Sequence, residues 1–188
     1  FLFAPLMHKA MKHAAIVRKE LGFRTIFNVL GPLTNPACAQ AQVLGVFDVK
    51  WVQPLAQVLY GLGCKHAMVV HGSDGLDEIT LTGESHVAEL RNGEVSSYNL
   101  DPRKLGFKTC SSVDLKGGTP EENAVMIQNI LNGESGPKRD IVVLNSAAAI
   151  YVAGKVYSME QGIQCAIDSI ESGKARNKLE DLCRITCS

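Results

Sequence analysis

At 188 residues, 46% of them hydrophobic, the chain is sized for one large packed domain with one core. Lys and Arg number 19, as do Asp and Glu, so the clearly basic balance of a nucleic-acid-binding domain is missing. Six scattered cysteines show no CxxC or Cys/His ligand spacing, and no apolar run approaches a bilayer's thickness. Free thiols, a cytoplasmic location and no membrane or nucleic-acid partner are therefore expected.

Phe1-Leu2-Phe3-Ala4-Pro5 opens without a methionine and reads as the interior of a longer protein. Residues 8–21 carry a helical pattern that stops at Gly22, with Arg18 and Lys19 in its last turn. Lys9, Lys12, Arg18, Lys19, Arg24 and Lys50 face only Glu20 and Asp48 over the first fifty residues. That local excess suits a small anionic substrate. The two prolines and the glycine of Gly31-Pro32-Leu33-Thr34-Asn35-Pro36 predict a loop.

Residues 41–47 then read as a buried strand, 52–62 as a helix ended by Gly63, and 66–70 as a second buried strand. This is a βαβ unit with parallel strands and a right-handed crossover. Three further strands, over 78–82, 86–90 and 95–100, are predicted to form an antiparallel meander, with Asn92-Gly93 as its last turn. After Gly117-Gly118, Thr119 reads as a cap, Pro120 as the first helical residue and Glu122 as the partner in a capping box, for a helix running to Leu131. Helices over 139–153 and 158–172 follow. Cys183 and Cys187 share a helix face, either as a soft metal site or as two core thiols, the second being the simpler reading. The fold class is α/β: a central sheet combining a parallel βαβ unit with an antiparallel meander, flanked by helices.

The most informative segment is His71-Gly72-Ser73-Asp74-Gly75-Leu76-Asp77-Glu78, which follows the second buried strand. Three carboxylates on a glycine-punctuated loop suit a hard cation that takes oxygen ligands and shares a substrate's phosphates. Asp-Gly pairs are also ordinary turn formers. Position favours a functional role for Asp74, Asp77 and Glu78, because ligands of open α/β sheets bind at the carboxyl ends of the strands.

Arg18 has only Ala14, Ala15, Leu21 and Gly22 as helix neighbours, so it either receives a ligand's carboxylate through two parallel hydrogen bonds or reaches solvent or a distant acid. His8, His13, His66 and His86 read as surface or helix-end hydrogen bonders, and none as a catalytic base.

The segments His8-Lys9-Ala10-Met11-Lys12, Val17-Arg18-Lys19-Glu20-Leu21-Gly22, residues 24–36, residues 69–78, Glu122-Asn123-Ala124 and Asn145-Ser146-Ala147-Ala148-Ala149 together resemble anthranilate phosphoribosyltransferase over essentially the whole chain. The resemblance implies transfer of a phosphoribosyl group from phosphoribosyl pyrophosphate to anthranilate in tryptophan biosynthesis. It also implies a nucleoside phosphorylase-like large domain and a homodimer. It matches Arg18 to the arginine at anthranilate's carboxylate, His8 and Pro32 to residues lining the substrate's approach, and Asp77 and Glu78 to the carboxylates that hold Mg²⁺. No residue is expected to act as nucleophile or base.

The family's glycine-rich Gly-Thr-Gly-Gly-Asp loop is not among the 188 residues. The chain is thus expected to be a single α/β domain from the C-terminal part of a longer enzyme, with little or no turnover alone. Lys9 and Glu84-Ser85 depart from the family's usual Pro and Pro-Thr at positions away from ligands. A nucleoside phosphorylase and a non-catalytic nucleic-acid-binding homologue are the alternatives. The Arg18 and Gly31-Pro32 pattern speaks against the first, and the retained Asp77-Glu78 pair with a neutral balance against the second.

Overall fold

A computed structural model describes residues 20, 27–35 and 37–186, and the chain divides into two units, Phe1–Gln40 and Ala41–Ser188. The helix expected over 8–21, with His8 and Arg18, lies outside the described residues except for Glu20.

In the first unit, helix α1 spans Phe27–Leu33 and contains Pro32, where the two prolines and the glycine had predicted a loop. The correction has a local cause. A helix this short loses a single backbone bond to the missing proline N–H, and carbonyls at its C-terminal end are taken up by Thr34. The Thr34 amide donates to Leu30 O at 3.1 Å and Gly31 O at 3.2 Å, and its hydroxyl to Leu30 O at 2.9 Å. Pro32 itself is exposed.

The second unit is built on four strands, β1 (Ala41–Gly45), β2 (His66–Gly72), β3 (Ser85–Arg91) and β4 (Glu94–Leu100), in spatial order β1-β2-β3-β4. β1 and β2 pair in parallel, Ala41 opposite His66 and Gly45 opposite Val70, with helix α2 (Val52–Gly61) as the crossover. This is the βαβ unit read from the sequence. β2–β3 and β3–β4 are antiparallel, and Asn92 and Gly93 turn the last hairpin with φ of 54° and 82°, the positive pair a tight primed turn requires.

The strand expected over 78–82 does not form. Ile79, Thr80 and Leu81 are fully buried, but side chains satisfy this irregular backbone instead of a neighbouring strand. The Ile79 amide donates to Asn145 Oδ1 at 3.0 Å, that of Thr80 to Ser85 Oγ at 2.9 Å, and that of Thr82 to Thr80 Oγ1 at 3.0 Å. Three consecutive residues are buried here, so the alternation in sequence marks neither pairing nor a single buried face.

Five helices follow: α3 (Ser112–Leu115), α4 (Pro120–Leu131), α5 (Pro137–Val152), α6 (Met159–Glu171) and α7 (Lys174–Thr186). α4 starts and stops where its signals place it, with Thr119 Oγ1 accepting from the Glu122 amide and the Glu122 carboxylate accepting from the Thr119 amide at 2.7 Å. α7 is the helix on which the sequence reading put Cys183, while Cys187 lies outside the described residues. The helix buries no residue, and Cys183 on it is an exposed free thiol, so the core reading of that cysteine is corrected. No helix among the described residues is long and apolar enough to cross a membrane.

α5 organises the core. Leu144, Ala148, Tyr151 and Val152 pack with Met68 and Val70 of β2, Val87 of β3, and Ile79 and Leu81. One step around the helix, Val143 packs with Ala166 and Ile170 of α6. Each such fully buried aliphatic side chain stabilises by about 1.5–3 kcal/mol. Ala67 and Val69 are also fully buried. By the two-residue alternation of a strand they face the side opposite Met68 and Val70, where α2 lies against β2 and β3.

At the end of the sheet where β2 begins, Glu89 joins three elements. Its Oε1 accepts from His66 Nε2 at 3.0 Å and from the Tyr151 hydroxyl at 2.8 Å, and its Oε2 accepts from the Tyr98 hydroxyl at 2.9 Å. Burial first and the hydrogen bond to Glu89 second push Tyr151 up to about 12, so its phenol stays a donor.

Candidate functional site

Loop 73–84 leaves β2 at the carboxyl end of the two parallel strands. Gly75, at φ +92°, turns it back, and its amide donates to Gly72 O at 2.9 Å, while the Gly72 amide donates to Leu76 O at 2.8 Å. The turn needs a left-handed residue, which glycine supplies without strain. His71 ties the strands just before the loop, its Nδ1 donating to Val46 O at 2.7 Å.

The three carboxylates separate into two roles. Asp74 is consumed inside the loop: Oδ2 accepts from the Thr80 hydroxyl at 2.7 Å and the Thr82 hydroxyl at 2.8 Å, and Oδ1 from the Leu76 amide at 3.1 Å. Desolvation pushes its pKa up, but these donors outweigh it and hold the carboxyl below its ordinary value. Asp74 is therefore a clasp, with few lone pairs left for a ligand.

Asp77 and Glu78 are exposed and stand together at the mouth of a cavity of about 420 Å³. Its floor is Val43, Gly45 and Val70, the carboxyl ends of β1 and β2, and its wall is the stripe Ile141, Asn145, Ala149 of α5, four residues apart and so on one helix face. Glu78 has its pKa raised, first by partial desolvation of the carboxyl and then by the neighbouring Asp77 charge. Two adjacent carboxyl groups beside a cavity, with the ionisation of Glu78 disfavoured, form a donor set that suits a divalent cation. No group of three or more His, Cys, Asp or Glu able to hold a metal exists among the described residues. The pair would accordingly supply two oxygens, with water and a ligand's phosphates completing the shell, as is usual for Mg²⁺.

Two residues without a role in the sequence reading shape this rim. A Cβ on Gly45 would overlap the Asp77 carbonyl, so only glycine lets the loop lie on the end of β1. A glycine inside the apolar run Val43-Leu44-Gly45-Val46 was the available signal. Asn145, a polar residue within an apolar helix, donates from Nδ2 to Ile79 O at 2.9 Å and accepts at Oδ1 from the Ile79 amide. Of the five predicted site residues, the structure thus brings Asp77 and Glu78 together. It places Pro32 on α1 in the other unit, and His8 and Arg18 lie outside the described residues. The histidines that can be seen have structural partners, His66 with Glu89 and His86 Nδ1 with Asn99 Oδ1 at 2.9 Å.

Comparison with known proteins bears out the resemblance. The anthranilate phosphoribosyltransferase of Petrotoga mobilis is 55% identical over 186 residues, covering 99% of this chain and 54% of that protein. The crystal structure of the Thermus thermophilus enzyme superposes with a TM-score of 0.89 at 47% identity, covering 96% of this chain and 54% of that one. The Saccharomyces cerevisiae enzyme in complex with PRPP and Mg gives 0.82 at 28% identity, covering 92% and 50%. The chain spans about half the length of the curated relatives it matches. A model of the glycosyl transferase family, a/b domain, matches residues 1–176. With the mixed parallel and antiparallel sheet, the loop at its carboxyl edge and this match in place, the chain belongs to the glycosyl transferase family of that a/b domain.

Proposed function

We propose that this chain is the C-terminal, large-domain portion of an enzyme that transfers a phosphoribosyl group from phosphoribosyl pyrophosphate to the amine of anthranilate, releasing pyrophosphate. The observation that carries the reading is the Asp77-Glu78 pair, two adjacent carboxylates at the mouth of a cavity at the sheet's carboxyl edge, in a chain 55% identical to an enzyme of that name. The yeast relative described with PRPP and Mg supports the same ligand chemistry.

In the transfer, the anthranilate nitrogen forms a bond to the ribose C1 as the bond from C1 to the pyrophosphate oxygen breaks. The electron pair leaves with pyrophosphate, and the amine proton passes to solvent. Arg18 presents a planar guanidinium to the anthranilate carboxylate and so aims the amine, while His8 and Pro32 line its approach. Asp77 and Glu78 would hold Mg²⁺, which would supply positive charge to stabilise a pyrophosphate leaving group. No side chain serves as nucleophile or strong base, because the attacking atom is already an amine. A homodimer accompanies the reading through the family resemblance, and a cytoplasmic location through the scattered cysteines without ligand or disulfide spacing.

The test uses the complete protein and the fluorescence of anthranilate. Replacing Asp77→Asn together with Glu78→Gln is expected to raise the Mg²⁺ requirement and lower kcat/KM for phosphoribosyl pyrophosphate by about 100-fold, roughly 2.7 kcal/mol of transition-state stabilisation. Unchanged magnesium dependence rejects the metal assignment. Arg18→Ala is expected to raise KM for anthranilate about tenfold more than KM for the donor, and equal effects on both remove its role. The 188-residue chain alone is expected to show little or no turnover.

A further inference from the structure

Asn145 sits midway along α5, between the buried Leu144 and the buried Ala147, where an amide needs a reason to be. All of its side-chain hydrogens are used. Oδ1 accepts from the Ile79 amide at 3.0 Å, and Nδ2 donates to Ile79 O at 2.9 Å and to Ile141 O at 3.0 Å. The bond to Ile141, one turn back on the same helix, fixes which way the carboxamide faces. The other two bonds then read both polar groups of Ile79 as a neighbouring strand would, and Ile79 is the residue immediately after Glu78. On the other side of the acidic pair, the Asp77 carbonyl rests on Gly45.

We propose that Asn145 is the positioning residue of the Asp77-Glu78 site: by gripping the Ile79 N–H and C=O together, it makes the rigid helix α5, rather than the loop, decide where the two carboxylates stand. The inference rests on the proposed reading of that pair as a metal site. A carboxamide carries its acceptor and its donors on separate atoms, so it can pair with the amide and the carbonyl of one residue at once. An aspartate loses both donors, and an apolar isostere leaves two buried backbone groups of Ile79 without partners. Outer-shell groups that orient metal ligands in this manner commonly change metal affinity roughly 10- to 100-fold when removed.

The test compares the unsubstituted complete protein, Asn145→Leu, Asn145→Ser and the Asp77→Asn/Glu78→Gln control. Mn²⁺ binding is followed by water-proton relaxation with inorganic pyrophosphate present, and backbone hydrogen exchange is followed at Ile79 and at Val69 and Val87. The expected result is Mn²⁺ binding weakened roughly 10- to 100-fold and faster exchange at Ile79 in the Asn145 variants, with Val69 and Val87 as protected as before. Unchanged Mn²⁺ affinity, whether or not Ile79 exchanges faster, overturns the proposal while leaving the metal reading intact. Loss of protection throughout the sheet in both variants assigns Asn145 to the core alone and also overturns it. Mn²⁺ binding that is indifferent to the Asp77 and Glu78 control defeats the metal reading, and this inference with it.

Discussion

Asp74, Asp77 and Glu78 lie within five residues of one another, and only their surroundings separate their roles. Asp74 is surrounded by donors, two hydroxyls and an amide, which stabilise its charge. Glu78 is partly desolvated and has Asp77 beside it, which oppose its charge. The linkage follows. Because the folded-state pKa of Asp74 is depressed, its contribution to stability is present above its ordinary value of 3.8 and is lost as pH falls through the lower folded value. Thr80→Val removes one donor, so the Asp74 pKa is expected to rise toward or above that ordinary value. The acid limb of the unfolding curve should then move to higher pH, as read by carboxyl-carbon NMR and by melts between about pH 2 and 5. Ser85 illustrates why a substitution away from the ligands is tolerated. Its hydroxyl receives the buried Thr80 amide at 2.9 Å, and a threonine would offer the same oxygen.

Elements with strictly local signals are legible in the sequence. The cap, proline and glutamate of α4 act within four residues, and the helix forms at Pro120–Leu131 as they dictate. Thr119→Ala is expected to destabilise by about 1 kcal/mol in urea titration, mainly by releasing the N-terminal turn. The Asn92-Gly93 hairpin and the β1-α2-β2 crossover are legible for the same reason. Two stretches show how such legibility fails. The short helix α1 accepts Pro32 because Thr34 offsets the lost bonding at its end, and the stretch 78–82 alternates like a strand yet borrows its partners from Asn145 and Ser85. In both cases the deciding groups are side chains whose approach to the backbone no periodicity encodes.

Across the Ala41–Ser188 unit, α5 links two distant features. At the cavity its Asn145 meets the loop that carries Asp77 and Glu78, and near its C-terminus Tyr151 is held to Glu89. Glu89 accepts from three donors at 9% exposure, so Glu89→Ala leaves His66, Tyr98 and Tyr151 short of a partner. A loss of about 2–3 kcal/mol is expected in urea unfolding. The cavity mouth lies at the opposite end of β2, so the Mn²⁺ affinity of a folded Glu89→Ala variant should be unchanged. A parallel loss of metal affinity would mean that the sheet transmits the defect along its length.

By itself, the sequence determined the α/β class, the parallel crossover and the acidic pair at a strand's carboxyl end, because apolar periodicity, caps and turn residues act over a few neighbours along the chain. Tertiary structure alone decided that Asp74 closes the loop while Asp77 and Glu78 open onto a cavity. It alone revealed that Gly45 makes room for the Asp77 carbonyl and that Asn145, 66 residues beyond Ile79, holds the rim in place. Those facts depend on which groups the folded core brings within hydrogen-bond or van der Waals distance, and residues so far apart in the chain carry no mutual signal in a single sequence.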